Sequence, residues 1–163
     1  MSYAAVLWVF GWIVVAFAVA MTLPVLIGLG FGESALALDF LASAGVTAFV
    51  GVTLLAVARG TASRDLRREG FVLAVLTWAA LPVFGALPFA FGGATAGATD
   101  AYFEALSGLT TTGATIFGEP ESLGRSILFW RALTQWFGGL ATIVLAIIVL
   151  APTGAGEIGR AHV

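Results

Sequence analysis

The chain has 163 residues, of which 60% are apolar and only 10% are charged, and its mean hydropathy is +1.06. Soluble domains average about 25% charged residues, so this composition indicates an integral membrane protein. The net charge of −2 argues against a basic nucleic-acid surface. The chain has no cysteine, which excludes disulfides and thiolate metal sites. Its single histidine, at position 162, excludes most histidine chemistry.

Four stretches are long enough to cross about 30 Å of hydrocarbon as helices, which takes roughly 20 residues each. They are about 4–30, 36–58, 70–92 and 127–151. The first lacks the basic start of a signal peptide and its apolar run is too long for one, so we expect a retained helix. Pro24, Pro82 and Pro88 lie inside these stretches, and membrane helices tolerate proline where neighbours satisfy the freed carbonyls.

Arginines are concentrated between the second and third stretches, in RGTASRDLRREG at 59–70. They are Arg59, Arg64, Arg67 and Arg68, four of the seven basic residues in the chain. The positive-inside rule places such a loop in the cytoplasm. We therefore divide the chain into two leading membrane helices (1–60), a cytoplasmic Arg-rich loop (61–70), a second membrane hairpin (71–151) and a cytoplasmic tail (152–163), with both termini in the cytoplasm.

The connection inside that second hairpin holds a short helical pattern followed by hydroxyl-rich backbone. DAYFEALSGL at 100–109 has an apolar face, with Asp100 as the expected N-cap. This helix rises about 16 Å, roughly half the hydrocarbon thickness, and the seven residues after it can extend about 20 Å. We predict a re-entrant hairpin in which 110–116 returns as an extended limb. A plain outer turn is the alternative, because Gly and Thr are common in turns.

The returning limb has the chemistry of a weak site for a monovalent cation. The carboxyl end of the entering helix carries a partial negative charge, which favours a cation near the bilayer centre. The backbone of TTTGAT at 110–115 can present successive carbonyl oxygens in place of an ion's water, and Gly113 can adopt the positive φ that keeps neighbouring carbonyls aligned. Carboxylates that would suit calcium are missing from this stretch, and the chain has no lysine for a P-loop.

These residues resemble a known family. DAYFEALSGLTTTGAT, with ALPF at 86–89 before it and FWRALTQWFGGL at 129–140 after it, resembles the pore region of the Trk/Ktr/HKT superfamily of potassium transporters. The resemblance is greatest to the membrane subunit of bacterial Trk systems, and it covers about 70–151. It implies an all-α integral membrane protein with four transmembrane helices, a re-entrant pore helix (100–109) and an extended filter segment (110–116). The implied function is potassium uptake across the inner (cytoplasmic) membrane, with no enzyme activity.

The resemblance also implies roles for individual residues. It assigns filter backbone to Thr111, Thr112, Gly113, Ala114 and Thr115, with potassium held by the carbonyls of the first three. It assigns support of the pore helix to Asp100, Glu104 and Ser107, although Glu104 could equally be a half-buried carboxylate that does not contact the ion.

Four residues near the outer half of the last stretch have simpler readings. For Arg125 and Arg131 we favour snorkelling to lipid headgroups over a gating role. Trp136 fits packing or anchoring at the membrane interface, and Gln135 could hydrogen-bond behind the filter. The Gly138-Gly139 pair is typical of close helix packing.

One repeat is fewer than the four that members of this superfamily arrange around a pore, and one hairpin cannot surround an ion. We therefore expect either the N-terminal part of a longer protein, which we favour, or four copies with cyclic symmetry. The implied partners are the lipid bilayer, further repeats or identical copies, and a cytosolic nucleotide-binding regulatory subunit. No cofactor is implied besides potassium as the transported ion.

Two other functions are alternatives to transport. An intramembrane protease using Ser107 is disfavoured because the only histidine, His162, is predicted to lie outside the membrane. A truncated, non-conducting membrane subunit has every feature of the transporter and remains open.

Overall fold

The computed structural model of the chain describes residues 3–58 and 66–150, with backbone only at 66–67 and 148–150. The predicted tail at 152–163 and the first half of the predicted Arg-rich loop lie outside the described residues. The second half of that loop, 66–70, is not a loop but the first turn of a helix.

The described residues form six α-helices and a short 3₁₀ turn at Pro120–Ser122. The helices are α1 (Tyr3–Ala20), α2 (Thr22–Gly30), α3 (Ser34–Val57), α4 (Leu66–Phe91), α5 (Ala98–Leu109) and α6 (Arg125–Leu150). Four segments are long and apolar enough to cross a membrane: Tyr3–Gly30, Ser34–Val57, Arg68–Phe91 and Arg125–Ile147. The expected all-α architecture with four spans is therefore confirmed.

The first span is interrupted at Met21, between α1 and α2. Pro24 has no N–H with which to bond the carbonyl of Ala20 four residues earlier, so the regular ladder cannot continue there. At the same break, the Thr22 hydroxyl donates to the Val19 carbonyl at 2.6 Å. Pro82 and Pro88, by contrast, lie inside a continuous α4.

A buried aromatic cluster joins the leading helices to the second hairpin. Trp130 of α6 is fully buried, with ring centroids 5.1 Å from Phe17 of α1 and 6.0 Å from Phe40 of α3. Its indole N–H donates to the Gly85 carbonyl of α4 at 3.0 Å. One side chain of α6 thus contacts three other helices and fixes α6 against the rest of the bundle.

α5 enters the bundle between α4 and α6 instead of lying on its outer surface. The Tyr102 hydroxyl donates to the Ala79 carbonyl, halfway along α4, at 3.2 Å. The last residue of α5, Leu109, places its carbonyl against Gly138, near the middle of the 26-residue α6. This contact lies about 20 Å along α6 from its first residue, Arg125. The predicted re-entrant hairpin is confirmed by this depth, and the alternative of a plain outer turn is wrong.

Candidate functional site

The entering helix starts two residues earlier than the sequence predicted. Its N-cap is Gly97, which is extended (φ −162°, ψ 171°), and the Gly97 carbonyl accepts the Ala101 N–H at 3.1 Å. Asp100 was expected to be the cap, but it lies in the first turn of α5. Its carboxylate remains near the positive end of the helix dipole, so the electrostatic role survives and the capping role does not.

α5 ends in a Schellman motif, which turns the chain back on itself. The Thr112 N–H donates to the Ser107 carbonyl at 3.2 Å and the Thr111 N–H donates to the Gly108 carbonyl at 3.0 Å. In this motif the first residue after the C-cap normally adopts a left-handed conformation. That residue is Thr111, and its φ is +57°. Glycine is usual at this position, so the tract of three threonines gave no signal for the turn.

The limb that follows runs back alongside α5 with one face open. Gly113 has φ +70°, the positive value expected from the sequence. Residues 111–116 are all exposed in this chain. Among the described residues no three His, Cys, Asp or Glu side chains converge on a possible metal position, so a cation at this face would meet backbone carbonyl and hydroxyl oxygens.

Ser107 holds the middle of the returning limb from behind. Its buried hydroxyl donates to the Ala114 carbonyl at 2.5 Å and lies 3.1 Å from the Thr112 hydroxyl. The Ala114 carbonyl is therefore turned toward α5, away from the open face. Because Ser107 sits on the last turn of α5, the limb is fixed to the helix that precedes it.

Glu104 lies one helical turn before Ser107 on α5 and bonds the end of the limb, at Thr115 and Ile116. Its side chain is almost fully buried, and the carboxylate accepts the Thr115 hydroxyl at 3.1 Å and the Ile116 N–H at 3.2 Å. The Arg131 Nε–H donates to Glu104 Oε1 at 2.7 Å. The structure thus places Glu104 as a buried carboxylate bonded to Arg131 and to the returning limb, and its support role stays a prediction.

The sequence predicts that Arg131 snorkels to the headgroups, and this prediction is wrong. Arg131 pairs with Glu104 instead. Its guanidinium also lies over the Phe117 ring, 5.5 Å from the ring centroid. A buried carboxylate is costly unless a cation and hydrogen bonds compensate it, and Arg131 is the cation that α6 places beside it. Arg125 fits the prediction better, since it is exposed and stacks over the Phe31 ring at 5.3 Å.

Small residues let α5 and α6 approach closely. A Cβ added at Gly138 would overlap the Leu109 carbonyl, and one added at Gly108 would overlap the Thr134 hydroxyl. Thr134 is buried at this contact, whereas Gln135, considered as a hydrogen-bonding partner behind the filter, is exposed. Trp136 is also exposed, with its ring 5.4 Å from that of Phe137.

Comparisons with known proteins identify similar sequences along the whole chain. The family model TrkH, described as a cation transport protein, matches residues 40–161. Over 96% of this chain, the Trk system potassium uptake protein TrkH of Halomonas elongata is 39% identical, and so is that of Escherichia coli. The crystal structure of the potassium transporter TrkH from Vibrio parahaemolyticus matches 98% of this chain with a TM-score of 0.86 and 33% identity.

The chain spans about a third of the length of these relatives. It covers 32% of the Halomonas and Escherichia proteins and 34% of the Vibrio chain in the crystal structure. What the complete relatives do therefore applies to this chain only as a hypothesis.

Proposed function

The chain belongs to the TrkH family of cation transport proteins, and from that membership we propose that it contributes to potassium uptake across the cytoplasmic membrane. Its relatives in Halomonas elongata and Escherichia coli carry the name Trk system potassium uptake protein. We propose that the returning limb forms one wall of the selectivity filter, with potassium held by the carbonyls of Thr111, Thr112 and Gly113.

The observation that carries this proposal is the way the limb is held. Ser107 and Glu104 bind it from the α5 side, at the Ala114 carbonyl and at Thr115 and Ile116. The opposite face of 111–116 is exposed, at a depth near the middle of α6. A rigid strand of carbonyl-bearing backbone beside the negative end of a helix suits a desolvated monovalent cation.

A single limb supplies ligands from one side only, so a complete site needs further walls. We propose that these come from further repeats of the same chain or from identical copies around the same axis. The other partners we propose are the lipid bilayer and a cytosolic nucleotide-binding regulatory subunit. The support for the regulatory subunit is the resemblance to the membrane subunits of bacterial Trk systems.

We also propose that the Arg-rich segment and both termini face the cytoplasm, on the positive-inside rule. The chain has no cysteine, so single cysteines can be labelled without background. In intact cells a membrane-impermeant maleimide should label Glu121→Cys and should not label Ser63→Cys. Labelling of Ser63→Cys alone would reverse the proposed orientation.

Transport is tested with the full-length protein carrying this sequence, expressed in cells that lack their own potassium uptake. The protein should restore growth at low potassium, and Gly113→Ala should reduce potassium uptake about tenfold, because a left-handed alanine costs about 1–2 kcal/mol. Gly118→Ala is the matched control, since Gly118 lies in the same connection, has open space around it and lacks a positive φ.

The two variants separate the possible results. Failure of the unmodified protein to restore uptake would favour a non-conducting membrane subunit. Equal uptake by Gly113→Ala and Gly118→Ala would exclude the limb as a filter wall.

A further inference from the structure

The outer end of α6 is capped by a residue that lies outside the pore-loop hairpin. Glu33, in the turn between α2 and α3, accepts the Arg125 N–H at 2.7 Å and the Ser126 N–H at 3.1 Å. It also accepts the Ser126 hydroxyl at 2.7 Å. The first two N–H groups of α6 thus find their acceptor more than 90 residues away in the sequence.

The contact is closely built on both sides. A Cβ added at Gly28 would lie 2.8 Å from the Ser126 hydroxyl oxygen, and one at Gly124 would lie 3.2 Å from Glu33 Oε2. The Glu33 N–H donates to the Gly28 carbonyl at 2.7 Å, which fixes the turn that carries the carboxylate. α2 and the start of α6 therefore fit together only with small residues at these two positions.

The charge of Glu33 is stabilised at this position. Burial by itself would raise the pKa of Glu33, but the hydrogen bonds from Ser126 and Arg125 and the positive charge of Arg125 outweigh it and hold the pKa below its ordinary value. A carboxylate at a helix N-terminus also complements the dipole. Glu33 is thus ionised when it caps α6 at neutral pH.

The same helix carries Arg131, which is linked to the returning limb through Glu104. Arg131 lies six residues after Arg125, about 9 Å further along α6. Its 2.7 Å bond to Glu104, and through Glu104 the bonds to Thr115 and Ile116, depend on the axial position of α6. A shift of α6 by about 1 Å would stretch the Arg131–Glu104 bond beyond hydrogen-bonding distance.

We infer that Glu33 is a positioning residue for the filter: it fixes where α6 starts, and so where Arg131 meets Glu104 behind the returning limb. The leading helices α1–α3 supply none of the residues of the limb, and this contact gives them a part in its geometry. The inference rests on the proposed transport function. Trp130 also fixes α6, through Gly85, so removing the cap should loosen the limb without abolishing transport.

The test uses the full-length protein with Glu33→Gln and, as a milder change, Ser126→Ala, which removes one of the three donors. Glu121→Gln is the matched control, because it removes a carboxylate charge from an exposed side chain on the connection that leads into α6, without removing the cap. Potassium uptake is measured against potassium concentration at equal amounts of protein in the membrane, together with the ratio of potassium to sodium uptake. Amide hydrogen exchange of the peptide containing Ile116 is measured in the purified protein.

We expect Glu33→Gln to raise the half-saturating potassium concentration about threefold or more, to lower the potassium-to-sodium ratio and to accelerate exchange at Ile116. Ser126→Ala should give smaller changes in the same directions. In a Glu104→Gln background, Glu33→Gln should add little, because both act through one chain of contacts. A purely structural cap would lower only the amount of protein and leave half-saturation, ion ratio and exchange unchanged.

The outcomes separate the two proposals. If the unmodified protein takes up no potassium, the transport function fails, while exchange at Ile116 still reports whether Glu33 positions the limb. If it transports and Glu33→Gln matches Glu121→Gln in half-saturation, ion ratio and exchange, the positioning role of Glu33 is wrong. Fully multiplicative effects of Glu33→Gln and Glu104→Gln would exclude the route through Arg131.

Discussion

The Glu104 carboxylate accepts hydrogen bonds from Thr115, Ile116 and Arg131. Its charge therefore determines whether the last two residues of the returning limb stay bonded to α5. Glu104→Gln preserves size but leaves the partly buried Arg131 without its carboxylate. Breaking a buried pair costs on the order of 3 kcal/mol. We expect a lower melting temperature of the purified protein and a reduced preference for potassium over sodium in uptake.

Two comparisons test this role of Glu104. Arg131→Lys retains the positive charge but loses the Nε–H that bonds Glu104, so its effect should be intermediate. Glu121→Gln removes an exposed carboxylate and should change neither quantity. If Glu104→Gln melts at the temperature of Glu121→Gln, the pair does not contribute to stability.

Thr111 is a strained residue at a position that glycine usually occupies. A left-handed conformation costs a non-glycine residue roughly 1–3 kcal/mol, part of which the greater freedom of unfolded glycine offsets. Thr111→Gly should therefore raise the free energy of unfolding by about 1 kcal/mol, measured by thermal or denaturant unfolding in detergent. Thr112→Gly is the control: Thr112 lacks a positive φ and bonds Ser107, so this variant should be destabilised. Equal loss of stability in both would contradict the strain at Thr111.

The sequence predicts a conformation where the residue type determines it, and it does not predict contacts that depend on a neighbouring helix. The positive φ of Gly113 follows from glycine itself. The support of the pore helix by Glu104 and Ser107 was implied by the family resemblance and stays a prediction. The pairing of Arg131 depends on how far α5 descends beside α6, which no local pattern encodes. The left-handed Thr111 was hidden because its conformation follows from the hydrogen bonds that end α5 and not from its residue type.

The contact between α5 and α6 depends on one of two adjacent glycines. A Cβ at Gly138 would overlap the Leu109 carbonyl, whereas a Cβ at Gly139 meets open space. Gly138→Ala should force the end of α5 away from α6 and lower the melting temperature. Gly139→Ala should leave it unchanged or raise it, because alanine favours a helix by about 1 kcal/mol over glycine. Melting curves of the two purified variants check this, and similar destabilisation of both would mean that α5 does not pack at Gly138.

The cap at the start of α6 should make stability depend on pH. The pKa of Glu33 is lower in the folded protein than in the unfolded chain, so its contribution is complete above the ordinary pKa of 4.5. The contribution declines as the pH falls below that value and is lost once the pH passes the folded pKa. We expect the unmodified protein to melt about 2–4 °C above Glu33→Gln at neutral pH. This gap should close on acidification below about pH 4.5, and a gap that widened there would contradict the lowered pKa.

At the level of elements, hydropathy and length located the spans to within a few residues, because a bilayer sets the length of an apolar helix. The break at Met21 was not predicted, although Pro24 was noted as tolerable. Pro82 and Pro88 are the same residue type inside an uninterrupted α4. Whether proline breaks a membrane helix depends on the neighbours that satisfy the freed carbonyls, and this is decided by packing.

The whole chain presents the returning limb as an open surface. Residues 111–116 are exposed, although they belong to a hairpin that descends to the middle of the bundle. Backbone at membrane depth persists only against protein or water, so this face requires a partner or a water-filled space. The sequence predicts that one limb cannot surround an ion. The residues of the limb do not indicate whether further repeats or identical copies supply the other ligands.

The stability of the protein should therefore respond to potassium only when the filter is complete. If the returning limb is one wall of a potassium filter, as we propose, a monomer of the 163-residue chain offers carbonyls from one side and cannot replace the water around potassium. Its melting temperature should be the same in potassium chloride, sodium chloride and choline chloride at equal ionic strength. In the full-length protein with an enclosed filter, potassium at 100 times its dissociation constant adds about 2.7 kcal/mol to the free energy of unfolding. The melting temperature should then be higher in potassium than in the other two salts.

Native mass spectrometry gives the number of copies in each sample. A potassium-specific shift in a verified monomer would contradict the need for further walls, and the same shift in a tetramer would mean that four copies of this one hairpin complete the site.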